Sequence, residues 1–387
     1  MSSAPLKLLH IAPHARGFGG IETLLMRHAA ADAAAGFDAS QIALFNRGAA
    51  AEARFRPMRF GWCNSPRAMR DEMRRALMPH AGSIVIWHSA WGLPWFAEFD
   101  AAARRVVCLH EHRGAFEMWL PAIRDDLDGI LAVSPAIARD AAEVLPGWPA
   151  ERIGCLPLPI AVPTDIPLDR SARDIWIIGC AGRLARQKRW ERLVPCVAEL
   201  RRLGVRFRVE IIGDGPMRPW LEQQFYGDAA VTFLGFVDTV EYWRRMCSWD
   251  AALFFSDVEG GPIALLEAMA AGVLPVYPSI GGSVGDDYAP QIDPRCYYPA
   301  GDPVAAARGL QALLAASSAE LEEKRGVARA LTKPHAGGAY EVQFREVVRR
   351  IIALPRLSSV SLRRRRSWMD GLPLGVITRV FPQHLWR

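Results

Sequence analysis

The chain has 387 residues, 51% of them hydrophobic and 23% charged, which is typical of a globular protein too long for one hydrophobic core. Its formal net charge of +6 resides in residues 356–387, which hold seven Arg and one Asp, while the remaining residues are balanced. Nucleic-acid-binding domains usually carry basic charge on a folded face, so this distribution disfavours that class. It favours contact between the C-terminal segment and a membrane or a partner.

Short apolar runs alternate along the chain with amphipathic segments of helical length. This alternation predicts βαβ units, and therefore parallel sheets covered by helices on both faces. The proline-rich segment 156–173 resembles a linker, which predicts a first domain at 1–160, a linker at 161–172, a second domain at 173–350 and a basic amphipathic segment at 351–387. The strands are expected at 6–12, 84–88, 106–110, 129–133, 175–181, 207–212, 231–234, 251–255 and 274–277. Helices are expected at 22–35, 67–78, 137–144, 190–203, 217–226 and 264–271.

No apolar run is as long as the roughly eighteen residues that a membrane-spanning helix needs. The first residues also lack the features of a secretory signal. The seven cysteines contain no C-x-x-C pair, and several lie in apolar runs, which predicts reduced, buried thiols. A cytoplasmic location is therefore expected.

The first domain begins with a strand, then a glycine-containing turn at 17–20 and a helix. Such turns let a ligand approach the backbone, and the helix N-terminus attracts an anion. Glu22 stands where G-x-G-x-x-G requires its last glycine, and no G-x-x-x-x-G-K-[ST] occurs. Dinucleotide-dependent dehydrogenases and P-loop NTPases are therefore disfavoured. Alone, the turn fits an ordinary strand-to-helix connection equally well.

In the second domain, Arg183 and Lys188 bracket the loop after strand 175–181. The carboxyl end of a strand is where doubly wound sheets bind ligands. Two cations at that place suit a pyrophosphate, and only four of the 47 basic residues are Lys. Solvated surface charge is the alternative interpretation.

A second loop follows strand 251–255 and contains Gly260, Gly261 and Pro262 before a helix. The glycines free the backbone, and the helix start presents amide groups to an anion. Glu259 lies on this loop and Glu267 in the second helical turn. One carboxylate can therefore reach a sugar and the other a ribose diol. A helix-start acid and a solvent-facing acid are the simpler alternatives.

Together these features resemble the retaining, two-domain glycosyltransferases with an E-x7-E motif, family 4 of the carbohydrate-active classification. Glu259 and Glu267 have the motif's spacing, and 182–188 is similar to the family's G-R-L-x-x-x-K loop. Gly-Asp-Gly-Pro at 213–216 and Phe-Leu-Gly at 233–235 are similar to two further landmarks. The resemblance extends from about residue 7 to about residue 350. It implies an α/β fold of the GT-B class, with two facing doubly wound Rossmann-like domains and a cleft between them.

The resemblance also implies a role for each matching residue. Arg183 and Lys188 would bind the donor diphosphate, Glu267 the ribose hydroxyls, and Glu259 with nearby backbone amides the donor sugar. His110, at the end of strand 106–110, matches a histidine beside the sugar, and it joins Glu259, Arg183 and Lys188 as a catalytic residue. The donor-binding set is Gly19, Gly20, Arg183, Lys188, Glu259, Gly260, Gly261, Pro262, Ile263 and Glu267.

The implied reaction moves a hexose from a GDP- or UDP-linked donor to a lipid-linked or envelope polysaccharide acceptor. Fixed cations stabilise the leaving diphosphate, so neither a metal nor another cofactor is expected. A metal site at His110, Glu111 and His112 is the rival interpretation of that segment. A sugar-nucleotide 2-epimerase and a non-catalytic sugar-nucleotide-binding protein are the alternative functions.

Two basic surfaces suggest that the protein docks on the inner face of an anionic membrane. On helix 67–78, Arg67, Arg70 and Arg74 share one face, opposite an apolar stripe. The C-terminal segment combines basic and apolar residues, and its prolines favour short interfacial segments. A surface helix with an apolar stripe in the core and a tail that packs on the first domain are the alternatives. The tail residues expected at the membrane are Arg363, Arg364, Arg365, Arg366 and Trp368.

Overall fold

The computed structural model describes residues 6–12, 32–44, 55–58, 60, 63–89, 104–110, 113–156, 158–163, 175–357, 371–373, 376 and 379. The chain divides into two compact units. The first comprises Met1–Pro159 and Tyr340–Arg387, and the second comprises Ile160–Ala339.

The first unit is built on a seven-stranded parallel sheet with the strand order β3-β2-β1-β4-β5-β6-β7. Its central strands are apolar and buried on both faces, as parallel strands covered by helices must be. The strands are β1 (Leu6–Ala12), β2 (Phe37–Ala43), β3 (Phe55–Pro57), β4 (Ile84–His88), β5 (Arg104–Leu109), β6 (Gly129–Ala132) and β7 (Ile153–Cys155).

The second unit contains a six-stranded parallel sheet with the order β10-β9-β8-β11-β12-β13. Trp243 and Trp249 pack against one face of it with Met246 and Val273, and all four side chains are buried. The strands are β8 (Trp176–Ala181), β9 (Phe207–Ile212), β10 (Val231–Gly235), β11 (Ala251–Leu253), β12 (Leu274–Ser279) and β13 (Tyr297–Pro299).

Several helices begin at a polar residue followed by proline. Ser65 accepts a hydrogen bond from Ala68 N at 3.3 Å, and Ser134 accepts one from Ile137 N at 3.2 Å. The proline that follows has a fixed φ suited to the first helical position. The helices are α1 (Pro66–Leu77), α2 (Arg113–Phe116), α3 (Pro135–Val144), α4 (Leu193–Arg202), α5 (Arg218–Gln224), α6 (Thr239–Ser248), α7 (Ile263–Ala270), α8 (Val284–Ile292), α9 (Pro303–Leu314), α10 (Ser318–Thr332) and α11 (Gly337–Ala353).

Each sheet has one place where the strand order reverses direction. In the first sheet it lies between β1 and β4, and in the second between β8 and β11. Loops leave such neighbouring strands toward opposite faces, which opens a crevice at their carboxyl ends. The topology therefore predicts one ligand-binding crevice in each unit.

Helix α11 returns the chain to the first unit. Arg345 donates to Ala35 O at 2.7 Å, and Arg104 donates to Ile352 O at 2.9 Å and Leu354 O at 3.2 Å. The sequence-based domain end at 350 thus falls inside α11, a helix that packs on the first unit. The second unit ends at Ala339. An amphipathic helix pattern does not specify which sheet the helix packs on, so the boundary was not readable from the sequence.

The predicted strands at 6–12, 84–88 and 207–212 agree with the structure residue for residue, and the other six overlap observed strands. Strands β2, β3, β7 and β13 were not anticipated. All seven cysteines are free; five are buried, Cys155 is partly buried and Cys63 is exposed, which contradicts the expectation that all are buried. Among the described residues, no helix combines the length and apolarity that crossing a membrane requires.

Candidate active site

The crevice of the second unit is bridged by an ion pair. Lys188 follows β8 and Glu259 follows β11, the two strands that flank the reversal. The Lys188 ammonium donates to Glu259 Oε1, and both side chains are partly buried. The loop at 182–188 and the loop that carries Glu259 therefore meet at the crevice that the topology predicts.

Glu259 is held through one of its two oxygens. Ser256 Oγ donates to the same Oε1 at 2.6 Å, and among the described residues no hydrogen bond reaches Oε2. Burial raises the pKa of the Tyr277 hydroxyl, and the negative charge of Glu259 raises it further. The Glu259 carboxylate is thus held in place through Oε1, and Oε2 can accept a hydrogen bond from a ligand.

Glu267 is buried on α7, with 4% of its surface exposed. Tyr242 from α6 donates its hydroxyl to Glu267 Oε2 at 2.6 Å. This hydrogen bond orients the carboxylate on the helix. The solvent-facing alternative for Glu267 is wrong, because the apolar helix α7 is buried along most of its length.

A second cluster of charges braces the loop that carries Glu259. Asp257 accepts from Arg189 and Arg192 at 2.5 Å each, and Arg192 also donates to Phe255 O at 2.7 Å. Partial burial alone would raise the pKa of the Asp257 carboxyl, but these two hydrogen bonds lower it below its ordinary value. Arg189 itself has a left-handed backbone, with φ of 53°. The charges tie the loop after β11 to the segment after β8.

Two glycines let the loop after β9 approach the loop after β8. Gly213 and Gly215 have φ of 134° and 154°, and a Cβ on Gly215 would lie 2.5 Å from Leu184 O. Backbone hydrogen bonds join the loops, from Leu184 N to Asp214 O and from Met217 N to Leu184 O, both at 2.8 Å. The Gly-Asp-Gly-Pro landmark therefore shapes the wall of the crevice beside Arg183.

Arg183 lies at the same edge but apart from the ion pair. Its side chain is exposed and makes no hydrogen bond or ion pair with the described part of the chain. Its carbonyl accepts from Trp190 Nε1 at 2.8 Å, which fixes the backbone beneath it. The guanidinium is positioned to bind an anion from solvent.

The start of α7 adds backbone donors to this crevice. Gly260, Pro262 and Ile263 are buried, and Pro262 provides no side-chain cap for the first amides of the helix. Gly260 O accepts from Val284 N at 3.2 Å, which joins the loop to the start of α8. That helix begins with a capping box of Ser283 and Asp286, so of these two helices α7 is the one whose first amides lack a side-chain cap.

Three histidines line the reversal point of the first sheet. His10 lies on β1, His88 ends β4, and His110 directly follows β5. A hydrogen bond of 2.8 Å joins His10 Nδ1 and His88 Nε2, and another of 2.8 Å joins His88 Nδ1 and His110 Nε2. Asp32 Oδ2 lies 3.0 Å from His10 Nε2.

Part of this cluster has the residue types of a metal site. His88, Cys108 and His110 are buried and each place one potential ligand atom within 4.8 Å of the others. However, both ring nitrogens of His88 already lie within hydrogen-bonding distance of neighbouring imidazoles. Burial also raises the pKa of the Cys108 thiol, which disfavours the thiolate that a metal requires. These contacts favour a hydrogen-bonded chain.

The remaining predicted residues divide into two groups. Gly19, Gly20, Glu111, His112, Arg363, Arg364, Arg365, Arg366 and Trp368 lie outside the described residues. On α1, Arg67 and Arg74 are exposed, whereas Arg70 is 6% exposed and does not belong to a basic surface. At about 100° per residue Arg70 lies only about 20° around the helix from the buried Leu77, so it falls within the buried stripe.

Sequence reasoning missed Tyr242, Ser256 and Asp257, which hold or brace the two glutamates. No spacing rule links a tyrosine on α6 to an acid on α7, because their contact depends on tertiary packing. It also missed His10 and His88. The signal for these was present, since three of the nine histidines lie at or near the ends of strands predicted at 6–12, 84–88 and 106–110.

Comparisons with known proteins agree with this geometry. Residues 176–316, which lie in the second unit, match the family described as glycosyl transferases group 1. A segment of 110 residues is 34% identical to the 2-deoxystreptamine glucosyltransferase of Streptomyces kanamyceticus. The match covers 27% of this chain and 28% of that relative, a little over a quarter of its length.

Two solved structures resemble the chain over most of its length. The lipopolysaccharide outer core galactosyltransferase WaaB in its apo form has a TM-score of 0.66 at 17% identity, covering 89% of this chain and 99% of that one. HepE from Anabaena, in complex with UDP, has a TM-score of 0.68 at 15% identity, covering 90% and 100%. At these identities the likeness establishes the fold, which is the GT-B fold of two parallel α/β sheets.

Proposed function

We propose that the protein is a retaining glycosyltransferase that transfers a hexose from a nucleotide diphosphate sugar to a lipid-linked or envelope polysaccharide acceptor. The observation that carries the proposal is the meeting of Lys188 and Glu259 across the reversal point of the second sheet. A ligand crevice that contains a cation, a fixed carboxylate and uncapped helix amides suits a sugar phosphate.

The leaving diphosphate is assigned to Arg183, Lys188 and the start of α7. Departure of the diphosphate builds negative charge, which fixed cations and amides stabilise without reorganising. Lys188 has three donors and uses one on Glu259, so it can bond a phosphate oxygen as well. No metal ion is needed for this step, and the reaction should proceed in the presence of EDTA.

The sugar and the ribose are assigned to the two glutamates. Glu259 Oε2 accepts from a donor-sugar hydroxyl, while Lys188 and Ser256 hold Oε1. Glu267, oriented by Tyr242, accepts from the ribose diol. His110, the least buried of the three histidines, is assigned to a sugar hydroxyl, as the family resemblance implies.

The base and the acceptor are proposed from what the similar proteins bind and modify. UDP is the first nucleotide to test because HepE was solved with UDP. WaaB, a lipopolysaccharide galactosyltransferase, supports an envelope acceptor. Exposed Arg67 and Arg74, together with the basic segment 363–366, would hold the protein on the inner face of an anionic membrane, where such acceptors are made.

The test is a product analysis with UDP- and GDP-linked hexoses and an envelope glycolipid extract in EDTA. We expect nucleotide release that requires the acceptor, and an anomeric proton signal in the NMR spectrum of the product that matches the donor's configuration. An inverted product or strict dependence on Mn²⁺ would contradict the proposal. Conversion of the donor without an acceptor would indicate the epimerase.

A further inference from the structure

Two ion pairs join the loop after β8 to the loop after β11. Lys188 donates to Glu259, and the next residue, Arg189, donates from Nε to Asp257 Oδ2 at 2.5 Å. The two cations are adjacent in the chain, and the two carboxylates are two residues apart. The first pair belongs to the proposed ligand site, and the second pair lies beside it.

Arg189 has a backbone conformation that a side chain disfavours. Its φ of 53° and ψ of 40° lie in the left-handed region, which non-glycine residues rarely adopt. The residue ends the short 3-10 turn Arg186–Lys188 and precedes a second such turn, Trp190–Arg192. The direction in which the chain leaves Lys188 therefore depends on this residue. Strain of this kind persists where the surrounding structure imposes it.

Asp257 supplies contacts that impose this conformation. Its Oδ2 accepts from Arg189, and its Oδ1 accepts from Arg192 Nη1 at 2.5 Å, so one carboxylate spans the second turn. The Arg192 side chain is 19% exposed and also donates to Phe255 O at 2.7 Å. Both ends of the turn are therefore attached to the loop that carries Glu259.

The Asp257 carboxylate is ionised at neutral pH. Partial burial acts to raise its pKa, but the hydrogen bonds from Arg192 and Arg189 lower the pKa below its ordinary value. Glu191 lies 3.6 Å from Arg189, but it belongs to the same turn, so this contact ties the turn only to itself. Among the described residues, Asp257 is thus the carboxylate that joins Arg189 to the loop after β11.

The two ion pairs respond differently to a bound donor. Lys188 would share its ammonium between Glu259 and a phosphate oxygen, which weakens this link between the loops. Neither Arg189 nor Arg192 is assigned to the donor, so their bonds to Asp257 persist. The Asp257 contacts can therefore keep the two loops together while the Lys188–Glu259 pair is in use.

We propose that Asp257 is a positioning residue for the proposed transfer: its bonds to Arg189 and Arg192 hold the left-handed turn and keep the Lys188 ammonium beside Glu259. Asp257 acts on the donor only through these two groups. The alignment of charged groups before the reaction is part of their contribution to the rate, so their release should slow it. The inference rests on the proposed function for the identity of the ligand.

The order of the Lys188 side chain can be measured without a substrate. The chain has only four lysines, so the full-length protein labelled with ¹³C at the lysine ε-carbons gives a simple NMR spectrum, and a Lys188→Arg variant assigns Lys188. Asp257→Asn keeps the shape of the side chain and removes its charge. We expect the order parameter of the Lys188 ε-carbon to fall by about half in this variant, because the turn is released. An unchanged order parameter would overturn the proposal.

Two substitutions at Arg189 separate the turn from the charge. Arg189→Ala and Arg189→Gly both remove the guanidinium, but only glycine adopts a positive φ without a side-chain penalty. The Arg189 side chain is 45% exposed, so both variants should fold. Lys188 should lose order in Arg189→Ala and keep most of it in Arg189→Gly. Equal loss in both variants, or no loss in Arg189→Ala, would contradict a role for the turn.

The matched control is Asp228→Asn. Asp228 is another partly buried aspartate of the second unit, and it accepts hydrogen bonds from Arg201 and from Ala230 N at 3.1 Å. It precedes β10, at the amino edge of the sheet, whereas the crevice lies at the carboxyl edge. Lys188 should remain ordered in this variant. A loss equal to that in Asp257→Asn would indicate general loosening of the unit and would refute positioning by Asp257.

Kinetics then separate this proposal from the proposed function. In transfer from UDP- or GDP-linked hexose, Asp257→Asn should lower kcat about tenfold with a smaller change in KM, since the lost alignment serves the transition state. Adding Arg189→Gly to Asp257→Asn should restore kcat to within about threefold of the wild type, because glycine accepts the turn unaided. No transfer by the wild type, with Lys188 released by Asp257→Asn, would refute the function and leave the positioning role. A wild-type kcat in Asp257→Asn would refute the positioning role alone.

Discussion

The Glu259 carboxylate is held in one orientation by its neighbours. Lys188 and Ser256 both bond to Oε1, so the carboxylate is oriented before any ligand arrives. The cost of ordering the loop is offset by its own contacts, including the Asp257 bridges to Arg189 and Arg192. In the proposed reaction, a preorganised charge of this kind would lower the barrier because it need not move during the reaction.

Arg183 offers a clean separation of function from stability. Its side chain contacts no described residue, so Arg183→Ala should leave the unfolding temperature unchanged. Turnover should fall about a hundredfold or more, as on loss of one transition-state donor. Steady-state kinetics and thermal unfolding measure the two effects. Arg186→Ala, an exposed arginine in the same loop, is the control, and equal losses in both variants would contradict the assignment.

At the scale of elements, a helix or strand can be predicted from the sequence when nearby residues alone determine it. Strand β9 at 207–212 and the helix starts at Ser65 and Ser134 follow from hydrophobic runs and capping residues, so they were predictable. The short strands β3, β7 and β13 have three residues each and form because neighbours are present to pair with. The Tyr242–Glu267 contact likewise exists only after α6 and α7 pack.

Helix α11 fits on the first sheet because glycines make room for it. A Cβ on Gly154 would collide with Val347, whose branched side chain cannot turn away. Gly154→Ala should therefore destabilise the protein by about 1–3 kcal/mol, measured by chemical denaturation. Adding Val347→Ala should restore most of the loss. Gly338→Ala, on the same helix with open space around it, should be neutral or stabilising, and a similar loss there would contradict the packing account.

At the scale of the molecule, the C-terminal segment continues the first unit. Residues up to about Leu357 belong to the first unit: Arg152 donates to Pro355 O at 2.5 Å, and Arg356 lies 4.0 Å from Asp128. The fold class and the division into two α/β units were predictable from the alternating pattern. The destination of α11 was not, because both sheets offer apolar faces.

The structure therefore indicates where to cut the chain for a membrane test. Deleting 358–387 removes the basic segment at 363–366 and leaves the packing of α11 intact. In liposome flotation the full chain should bind anionic vesicles in a salt-sensitive manner, because each Arg contributes about 1 kcal/mol at such a surface. The truncated chain should lose most of this binding. Full retention by the truncated chain, or equal binding of the full chain to neutral vesicles, would exclude the segment as a membrane contact.

The central claim is that the second unit binds a nucleotide diphosphate with Glu267 on the ribose. Calorimetric titration of UDP and GDP in EDTA tests it most directly. We expect one nucleotide to bind the wild-type protein, with affinity about tenfold or more lower in Glu267→Gln and reduced by a smaller factor in Tyr242→Phe, where only the orienting bond is lost. Tyr226→Phe, a surface tyrosine of the same unit, should bind like the wild type. No binding of either nucleotide, or equal affinity in all four proteins, would contradict the account.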